Sequence, residues 1–327
     1  MRTISYAQAI REALVEEMRR DEKVFVMGED VATYGGVFKV TKGLLDEFGP
    51  ERVMDTPLSE NAIVGAAIGA AIMGYRPVAE IMYMDFLHEC GDQLVNHLPK
   101  IHFMTGGKLS APVVIRTQYG SGRNTGAQHS QFFPSLYMNT PGIMLATPAT
   151  PSDAKGLLKT AIRGNNPVLF VECGRLYPTK GQVPDEDSLI PFGKADIRQQ
   201  GDDVTVVAIS RTVAESLSAA DSLADAGISV EVIDPRTLVP LDTETIISSV
   251  RKTGRIVTVE DSCKTAGVGA EILARITENA MDYLEDAVRL AFPDIPTPFS
   301  PPLEQACLPG KERIISTIKT IMGWSGG

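Results

Sequence analysis

The chain has 327 residues, of which 43% are hydrophobic and 22% are charged, and its formal net charge is −10. This composition is ordinary for a globular protein, and the length is enough for two hydrophobic cores. No basic stripe and no cluster of aromatic residues with arginine indicates nucleic-acid binding, and an acidic surface opposes binding to anionic membranes. No apolar run is long enough to span a bilayer, and the first residues lack the apolar core of a signal peptide. We therefore expect a cytoplasmic protein without nucleic-acid or membrane partners.

The four cysteines lie far apart and form no Cys-x-x-Cys pair: Cys90, Cys173, Cys263 and Cys307. Zinc sites and disulfide frameworks have characteristic short or regular cysteine spacings, which this chain lacks. We therefore expect reduced thiols that fill the core.

The first 180 residues alternate between short apolar strands and helices. Ser5 is placed to cap an amphipathic helix over 5–20, and Thr150 followed by Pro151 predicts another helix start. A glycine-bearing loop over 33–37 leads to a helix that ends near residue 48, and a long helix runs to about residue 104. The predicted strands are 24–27, 77–83, 112–116, 143–146 and 168–171. Continuous apolar strands separated by helices predict a parallel sheet covered on both faces.

Residues 182–203 differ from both flanking regions. They carry prolines, glycines and acidic residues with little apolar periodicity, which is typical of a linker. A second series of strands and helices begins at 204, ends in a helix over 311–322, and shares no repeat period with the first. The sequence therefore predicts an α/β fold of two doubly wound domains, 1–181 and 204–327, joined by the linker 182–203.

An acidic residue stands where an apolar strand meets a helix of small residues. Pro57 disfavours helical geometry at Thr56, so Ser59 is the predicted N-cap and Glu60 the first helical residue. The helix that follows has no polar face, so we expect it to be buried and to carry the carboxylate inward. A carboxylate in an apolar interior needs a specific partner. Either Glu60 only stabilises the helix through its dipole, or its partner is a ligand.

A glycine-rich loop over 120–131 directly follows a predicted strand and contains His129. Its glycines have the spacing G-x-G-x-x-x-G, and a second stretch, Gly267-Val268-Gly269, lacks the third glycine, so neither is a proper dinucleotide fingerprint. The loop would deliver His129 to the carboxyl edge of the sheet, where open α/β folds bind ligands. A lone histidine is usually structural, but histidine is also the commonest acid or base at neutral pH.

The run Asp-Thr-Pro-Leu-Ser-Glu at 55–60 and the run Ala-Gln-His-Ser-Gln at 127–131 carry a family resemblance that extends over nearly the whole chain. The chain resembles the β subunit of the thiamine-diphosphate-dependent E1 component of 2-oxo acid dehydrogenase complexes. The resemblance implies a pyrimidine-binding domain followed by a transketolase-like C-terminal domain. It also implies that Leu58, Glu60 and Phe86 contact the cofactor, although Phe86 by itself would be interpreted as a core residue. In this family Glu60 would bind the pyrimidine ring, and His129 would handle protons near the thiazolium and the substrate.

The resemblance implies partners as well. The chain lacks the Gly-Asp-Gly…Asn-Asn motif that holds the diphosphate through Mg²⁺, so a separate α subunit would carry both groups in an α2β2 heterotetramer. The helix with Gly65 and Gly69 would then pack either within the chain or across subunits. A lipoyl-bearing E2 would accept the acyl group. A potassium site would be built from main-chain carbonyls of Val113, Ala161, Ile162, Gly164 and Asn166.

The substrate stays open among pyruvate, branched-chain 2-oxo acids and acetoin, and pyruvate is favoured. Leu98-Pro99 departs from the Ala-Ala that is usual in the family, and we expect Pro99 to kink the long helix. An acetoin-cleaving enzyme is the first alternative. A non-catalytic structural partner subunit is the alternative from another class, and the intact Glu60, Phe86 and His129 speak against it. A nicotinamide-dependent dehydrogenase lacks the glycine fingerprint.

Overall fold

The computed structural model describes residues 1–323. These residues fall into two units, the first made of 1–120 with 136–192 and the second of 121–135 with the residues from 193 onward. No helix within the described residues is both long and apolar enough to cross a membrane. The last four residues of the predicted second domain, 324–327, lie outside the described range.

Apolar strands build the centre of the first unit, as the sequence predicts. Within this unit the strands adjoin in the order β6-β7-β5-β4-β2-β3, all parallel. A separate antiparallel pair joins β1 to β8. The strands are β1 (Arg2–Ser5), β2 (Val24–Gly28), β3 (Val53–Asp55), β4 (Arg76–Ile81), β5 (Val114–Tyr119), β6 (Met144–Ala146), β7 (Val168–Cys173) and β8 (Lys180–Val183).

Helices follow these strands, and the predicted caps at Ser5 and Thr150 are confirmed. The Ser5 side chain accepts a hydrogen bond from the N–H of Gln8, and Thr150 Oγ1 accepts one from the N–H of Asp153. The helices up to the end of the first unit are α1 (Tyr6–Arg20), α2 (Leu44–Phe48), α3 (Glu60–Ile72), α4 (Ile101–Met104), α5 (Ser135–Met138) and α6 (Pro151–Arg163).

The second unit repeats the alternation on a five-stranded sheet with the order β14-β13-β10-β11-β9. Strands β14, β13, β10 and β11 are parallel, and β9 runs antiparallel at the edge. The strands of the second unit are β9 (Asp196–Gln199), β10 (Val204–Ala208), β11 (Val230–Asp234), β12 (Thr237–Val239), β13 (Arg255–Cys263) and β14 (Asp286–Phe292), of which β12 is not part of this sheet. Its helices are α7 (Thr212–Ala224), α8 (Thr243–Thr253), α9 (Val268–Ala280), α10 (Pro301–Cys307) and α11 (Lys311–Ile321).

The α/β class and the alternation are thus confirmed, whereas four local predictions need correction. The long helix to residue 104 is wrong: a 3-10 turn (Met84–His88), a π-helix (Gln93–His97) and α4 replace it. The π-helix ends where the N–H of Leu98 donates to the carbonyl of Gln93 at 2.8 Å, directly before Pro99. Proline has no N–H to continue the helical ladder, so the break follows from the residue that the sequence singled out.

The helix predicted through Leu44, Leu45 and Phe48 after the glycine-bearing loop is confirmed as α2. Gly35, Gly36, Lys39 and Gly43 have positive φ angles, which are incompatible with a continuous right-handed helix, so α2 begins only at Leu44. The segment 182–203, predicted as a linker, contains the end of β8 and the whole of β9. The domain boundaries themselves stay a prediction.

Two expectations about burial are partly wrong. Helix α3 buries Ile63, Val64 and Ala67 on one face, but its other face, which includes Ala66 and Gly69, is exposed. The exposed small residues of α3 therefore form a smooth surface, and the rest of the described chain does not enclose this helix. All four cysteines are free, as predicted, with Cys90 and Cys173 buried, whereas Cys263 is exposed and Cys307 partly exposed.

A buried ionic network ties three strands of the first unit together. Arg116 on β5 is 2% exposed, and its guanidinium donates to Glu172 on β7 at 2.7 and 2.9 Å and to Glu80 on β4 at 2.7 Å. The Tyr177 hydroxyl donates to Glu172 at 2.8 Å. Burial alone would lower the pKa of Arg116, but the two carboxylates outweigh it and raise that pKa, so the guanidinium stays charged.

We expect Arg116→Met to lower the free energy of unfolding by about 3–5 kcal/mol, because it leaves two buried carboxylates without their cation. Urea unfolding of the purified chain measures this change. The matched control is Arg19→Met, which removes an exposed ion pair with Glu47 and should leave the free energy of unfolding nearly unchanged. Equal losses for the two variants would contradict the role of the network.

We expect Thr150→Ala to destabilise the chain by about 1 kcal/mol, because it removes the cap that satisfies the N–H of Asp153. Ser59→Ala is the control, since Ser59 stands at the N-cap of α3 without a side-chain cap hydrogen bond. Urea unfolding should therefore rank Thr150→Ala below Ser59→Ala in stability. The reverse ranking would refute the capping assignment.

Candidate active site

Three adjacent parallel strands bring the predicted site residues of the first unit to one sheet edge. Gly28 at the end of β2 is in register with Asp55 at the end of β3 and with Glu80 near the end of β4. Glu29, the segment 56–60 and residues 82–86 therefore all leave the sheet at its carboxyl edge. Ligands of open α/β sheets bind at this edge.

Glu60 begins α3 at that edge and is half-buried. Its carboxylate makes no hydrogen bond and no ion pair with any residue in the range 1–323. The predicted partner is therefore absent from the described part of this chain, which keeps open the interpretation that the partner is a ligand.

The charge of Glu60 acts on the pKa of two buried groups, the carboxyl of Glu29 and the thiol of Cys90. Burial, and then the nearby charge of Glu60, raise the pKa of Glu29, which is 7% exposed. The same two causes in the same order raise the pKa of the buried Cys90 thiol to about 12. Glu29 therefore holds its proton more readily than an ordinary glutamate, and the two carboxyl groups form an acidic pair.

The segment that leads to α3 carries further features of a ligand site. Thr56 Oγ1 is buried and has no hydrogen-bond partner among residues 1–323. Leu58 is 83% exposed, which is unusual for a leucine next to a buried helix face. Buried polar atoms are rarely left without a partner, so an unpaired hydroxyl beside an unpaired carboxylate fits a polar ligand.

Asp55 fixes the loop opposite this segment. Its carboxylate accepts hydrogen bonds from the N–H groups of Ala32 and Thr33 at 2.7 and 3.1 Å. Burial acts to raise the pKa of Asp55, but these hydrogen bonds outweigh it and lower that pKa. The carboxylate is thus held in its charged form as a structural clamp between β3 and the loop after β2.

Phe86 lies in the 3-10 turn after β4 and is partly exposed. Its ring packs edge-on against Tyr83, with 5.7 Å between centroids, and Tyr83 packs in turn against Phe38 at 5.7 Å. Phe38 contacts Tyr177, which contacts Tyr6. A chain of rings therefore anchors one edge of Phe86, and its ring remains partly exposed at the carboxyl edge of the sheet.

His129 lies in the second unit, whereas Leu58, Glu60 and Phe86 lie in the first. Its loop bends through positive φ angles at Gly122, Asn124 and Gly126. The Thr125 hydroxyl donates to the carbonyl of His129 at 2.9 Å. The imidazole is partly exposed, as a proton-transfer group requires. That His129 acts together with Glu60 stays a prediction.

Three of the five carbonyls predicted to bind potassium already have protein partners. Arg76 Nη1 donates to the carbonyls of Ile162 and Gly164 at 2.9 and 2.7 Å, and the carbonyl of Val113 accepts from the N–H of Val168 at 2.9 Å. A guanidinium thus supplies positive charge to two of the five carbonyls. The potassium site, which includes Ala161 and Asn166, stays a prediction from the resemblance.

No group of three or more His, Cys, Asp or Glu side chains within residues 1–323 has the arrangement of a metal site. His88, His97 and His102 are exposed, as expected for surface histidines. His97 Nε2 lies 3.2 Å from Asp92, a carboxylate contact that the sequence did not single out.

Two contributors to the site are not evident from sequence patterns. Glu29 follows an apolar strand directly, and this position at a carboxyl edge is the only signal that identifies it. Arg76 begins β4, and nothing in its spacing indicates that it reaches the carbonyls after α6. Both depend on the pairing of strands that are distant in the chain.

Comparison with known proteins agrees with this architecture. Residues 2–180 match the family described as "Transketolase, pyrimidine binding domain", and residues 193–314 match "Transketolase, C-terminal domain". A solved structure described as "Split gene transketolase, inactive beta4 tetramer" superimposes with a TM-score of 0.82 at 22% identity and covers 99% of both chains. At that identity the likeness shows the fold alone.

Relatives of known activity are much more similar in sequence. The pyruvate dehydrogenase E1 component subunit beta of Rickettsia felis is 44% identical over 98% of this chain and 99% of its own length. Two proteins of Bacillus subtilis follow, each matched over 98% of this chain. The acetoin:2,6-dichlorophenolindophenol oxidoreductase subunit beta is 42% identical over 98% of its own length, and the 2-oxoisovalerate dehydrogenase subunit beta is 43% identical over 99%. With both domains matched and relatives at this level of identity, the chain belongs to the family of thiamine-diphosphate-dependent E1 β subunits of 2-oxo acid dehydrogenases.

Proposed function

We propose that this chain is the β subunit of an E1 enzyme that oxidatively decarboxylates a 2-oxo acid, with pyruvate as the favoured substrate. The observation that supports this function best is the half-buried Glu60 carboxylate, which has no partner within residues 1–323 and stands at the carboxyl edge of a parallel sheet. The unpaired Thr56 hydroxyl and the exposed Leu58 beside it fit the same ligand.

The residues of the first unit fit the pyrimidine end of thiamine diphosphate. When bound, this cofactor supplies an electron sink for cleavage of the bond next to the 2-oxo group of the substrate. Glu60 would hold a proton at a nitrogen of the pyrimidine ring, which is a general acid–base role for a fixed carboxylate. Burial, and then the nearby charge of Glu60, raise the pKa of Glu29 at the same sheet edge.

Apolar contacts would orient the ring. Phe86 packs against Tyr83 and is partly exposed, and Leu58 is exposed two residues before Glu60 in the chain. Flat aromatic and branched aliphatic surfaces exclude water from a heterocycle that they enclose. His129 would assist proton transfer to the substrate and to the acyl acceptor, which is the role that its family motif implies.

The chain would work only with an α subunit, which holds Mg²⁺ and the diphosphate. The exposed small-residue face of α3, with Ala62, Ala66 and Gly69, gives a partner helix close access to the backbone. We place the chain in an α2β2 heterotetramer that passes its acyl group to a lipoyl-bearing E2. A cytoplasmic location stays a prediction.

One of the two alternative functions has specific support, and the structure speaks against the other. Acetoin cleavage is the first alternative, since the acetoin oxidoreductase subunit of Bacillus subtilis is about as similar to this chain as the pyruvate enzymes are. A non-catalytic partner subunit is the alternative of another class. A subunit that had lost its chemistry would have no reason to retain an uncompensated, half-buried carboxylate, because such a group costs stability.

We expect Glu60→Gln to assemble with the α subunit but to lose about 100-fold or more in kcat, because the amide cannot exchange a proton with the ring. The measurements are size-exclusion chromatography of the co-expressed complex and dye reduction with pyruvate. The matched control is Glu51→Gln, which changes an exposed glutamate of the same unit and should have no effect. A Glu60→Gln complex with wild-type turnover would refute the proposed role.

We expect pyruvate to be turned over with a kcat/KM at least about tenfold above that for 2-oxoisovalerate, since a pocket shaped for a methyl group discriminates against larger side chains by this order. The kcat/KM for pyruvate should also exceed that for acetoin, which has the same methyl group but lacks the carboxylate of a 2-oxo acid. Parallel dye-reduction assays of the co-expressed complex measure the ranking, and the chain without its α subunit should be inactive. A higher kcat/KM for acetoin would move the assignment to the first alternative. Inactivity with all three substrates, in a complex that binds the cofactor, would favour the non-catalytic partner.

A further inference from the structure

The loop that carries His129 is held by a buried carboxylate from the C-terminal part of the chain. Glu304 lies on α10, where its neighbours Leu303 and Gln305 are exposed, yet Glu304 itself is 1% exposed. Its two carboxylate oxygens accept hydrogen bonds from the backbone N–H of Gly122 at 2.9 Å and of Asn124 at 2.8 Å. Glu304 forms no ion pair with any residue in the range 1–323. The hydrogen bonds from the two loop N–H groups therefore offset the cost of burying the Glu304 carboxylate.

The local backbone explains why a carboxylate fits there. Gly122 and Asn124 have positive φ angles of 79° and 59°, so alternate N–H groups of the loop turn towards one point. Backbone N–H groups that converge in this way form an anion-binding concavity. Hydrogen bonds to an ionised acceptor are about twice as strong as neutral ones, and here both are buried. The same segment contacts the loop again at Gly126, where a Cβ atom would lie 3.4 Å from the ring of Phe299.

Two hydroxyl groups carry this constraint to His129. Thr125 directly follows the clamped Asn124, and its hydroxyl donates to the carbonyl of His129 at 2.9 Å. Ser121 directly precedes the clamped Gly122, and its hydroxyl donates to the carbonyl of Ser130 at 2.9 Å. The hydroxyls of Thr125 and Ser130 are also hydrogen-bonded to each other at 2.7 Å. These hydrogen bonds therefore link residues 129 and 130 to the part of the loop, 121–125, that Glu304 holds.

We propose that Glu304 is a positioning residue for His129, acting through the backbone amides of Gly122 and Asn124 and the hydroxyls of Thr125 and Ser121. Without the carboxylate, two buried N–H groups lose their acceptor and the loop loses the conformation that fixes the main chain at His129. The side chain of Glu304 itself contacts no reacting group. This inference rests on the proposed catalytic role of His129, but the loop clamp can be tested without it.

The test uses Glu304→Gln in the chain co-expressed with its α subunit. The amide retains one acceptor oxygen but turns an NH2 group towards the second backbone N–H, so one of the two hydrogen bonds is replaced by a donor–donor contact. Hydrogen–deuterium exchange should become faster in peptides that cover 121–130 and stay unchanged in the sheet of the second unit. The control Glu312→Gln, an exposed glutamate on α11, should change neither.

Kinetics then separate positioning from a merely structural role. We expect Glu304→Gln to lower kcat about 10- to 100-fold, as a misplaced catalytic group does. In a His129→Ala background the same substitution should cause no further loss, because its effect passes through His129. Thr125→Val should reproduce the faster exchange at 129–130 while leaving Glu304 in place, which keeps the test available if Glu304→Gln fails to assemble.

The outcomes are distinguishable. Unchanged exchange at 121–130 in Glu304→Gln would overturn the clamp, and unchanged exchange at 129–130 in Thr125→Val would overturn the hydroxyl link by which it acts on His129. Equal fractional losses of kcat with and without His129 would overturn its action through His129. If His129→Ala alone retained wild-type kcat, the proposed role of His129 would fail, and with it the catalytic part of this inference, whereas the exchange data would still decide whether Glu304 holds the loop.

Discussion

The parallel pairing of β2, β3 and β4 is the constraint on which the candidate site depends. Three strands in register end together, so a carboxyl group, a helix start and an aromatic ring from distant parts of the chain leave the sheet at one edge. The sheet is held from within by Arg116, whose guanidinium binds carboxylates on both neighbouring strands. Strand β4 takes part in both arrangements. Its Glu80 binds Arg116, and its register with β2, together with that of β2 with β3, sets the spacing of Glu29, Glu60 and Phe86.

The carboxyl edge of the first sheet combines side chains that have partners in the chain with polar side chains that have none within residues 1–323. Asp55 is fully compensated by two backbone amides, and the rings next to Phe86 are packed against each other. Glu60 and the Thr56 hydroxyl have no such compensation within residues 1–323. A sheet edge at which a hydrogen-bonded carboxylate and packed rings stand next to an unpaired carboxylate and hydroxyl fits the arrangement of a pre-organised ligand site. The same contrast appears in the second unit, where Glu304 is compensated by the loop that presents His129.

Local signals predict local structure well in this chain. The caps at Ser5 and Thr150, the break at Pro57 and the start of α3 at Glu60 follow from single residues and their immediate neighbours. The predicted strands follow from continuous apolar runs. Pro99 was a correct signal of disruption, although the break produces a π-helix and separate turns where a kinked helix was expected.

Features that depend on contacts between residues far apart in the chain could not be predicted from such local signals. The exposed face of α3 has the same residues that a buried helix would have, so composition cannot tell a core from a surface that awaits a partner. Arg76 reaches the carbonyls of Ile162 and Gly164 only because β4 and the end of α6 are brought together by the sheet. The contact of Glu304 with Gly122 spans 182 positions in the chain, and no spacing rule connects them.

The most direct test of the central claim is a crystal structure of the chain assembled with its α subunit and thiamine diphosphate. The account predicts that the Glu60 carboxylate lies within hydrogen-bonding distance of a ring nitrogen of the pyrimidine, about 2.6–3.2 Å between heavy atoms. It also predicts that Phe86 lies against the face of that ring. A Glu60 carboxylate in contact with bulk water, or paired with a lysine or arginine while the cofactor is bound, would contradict it.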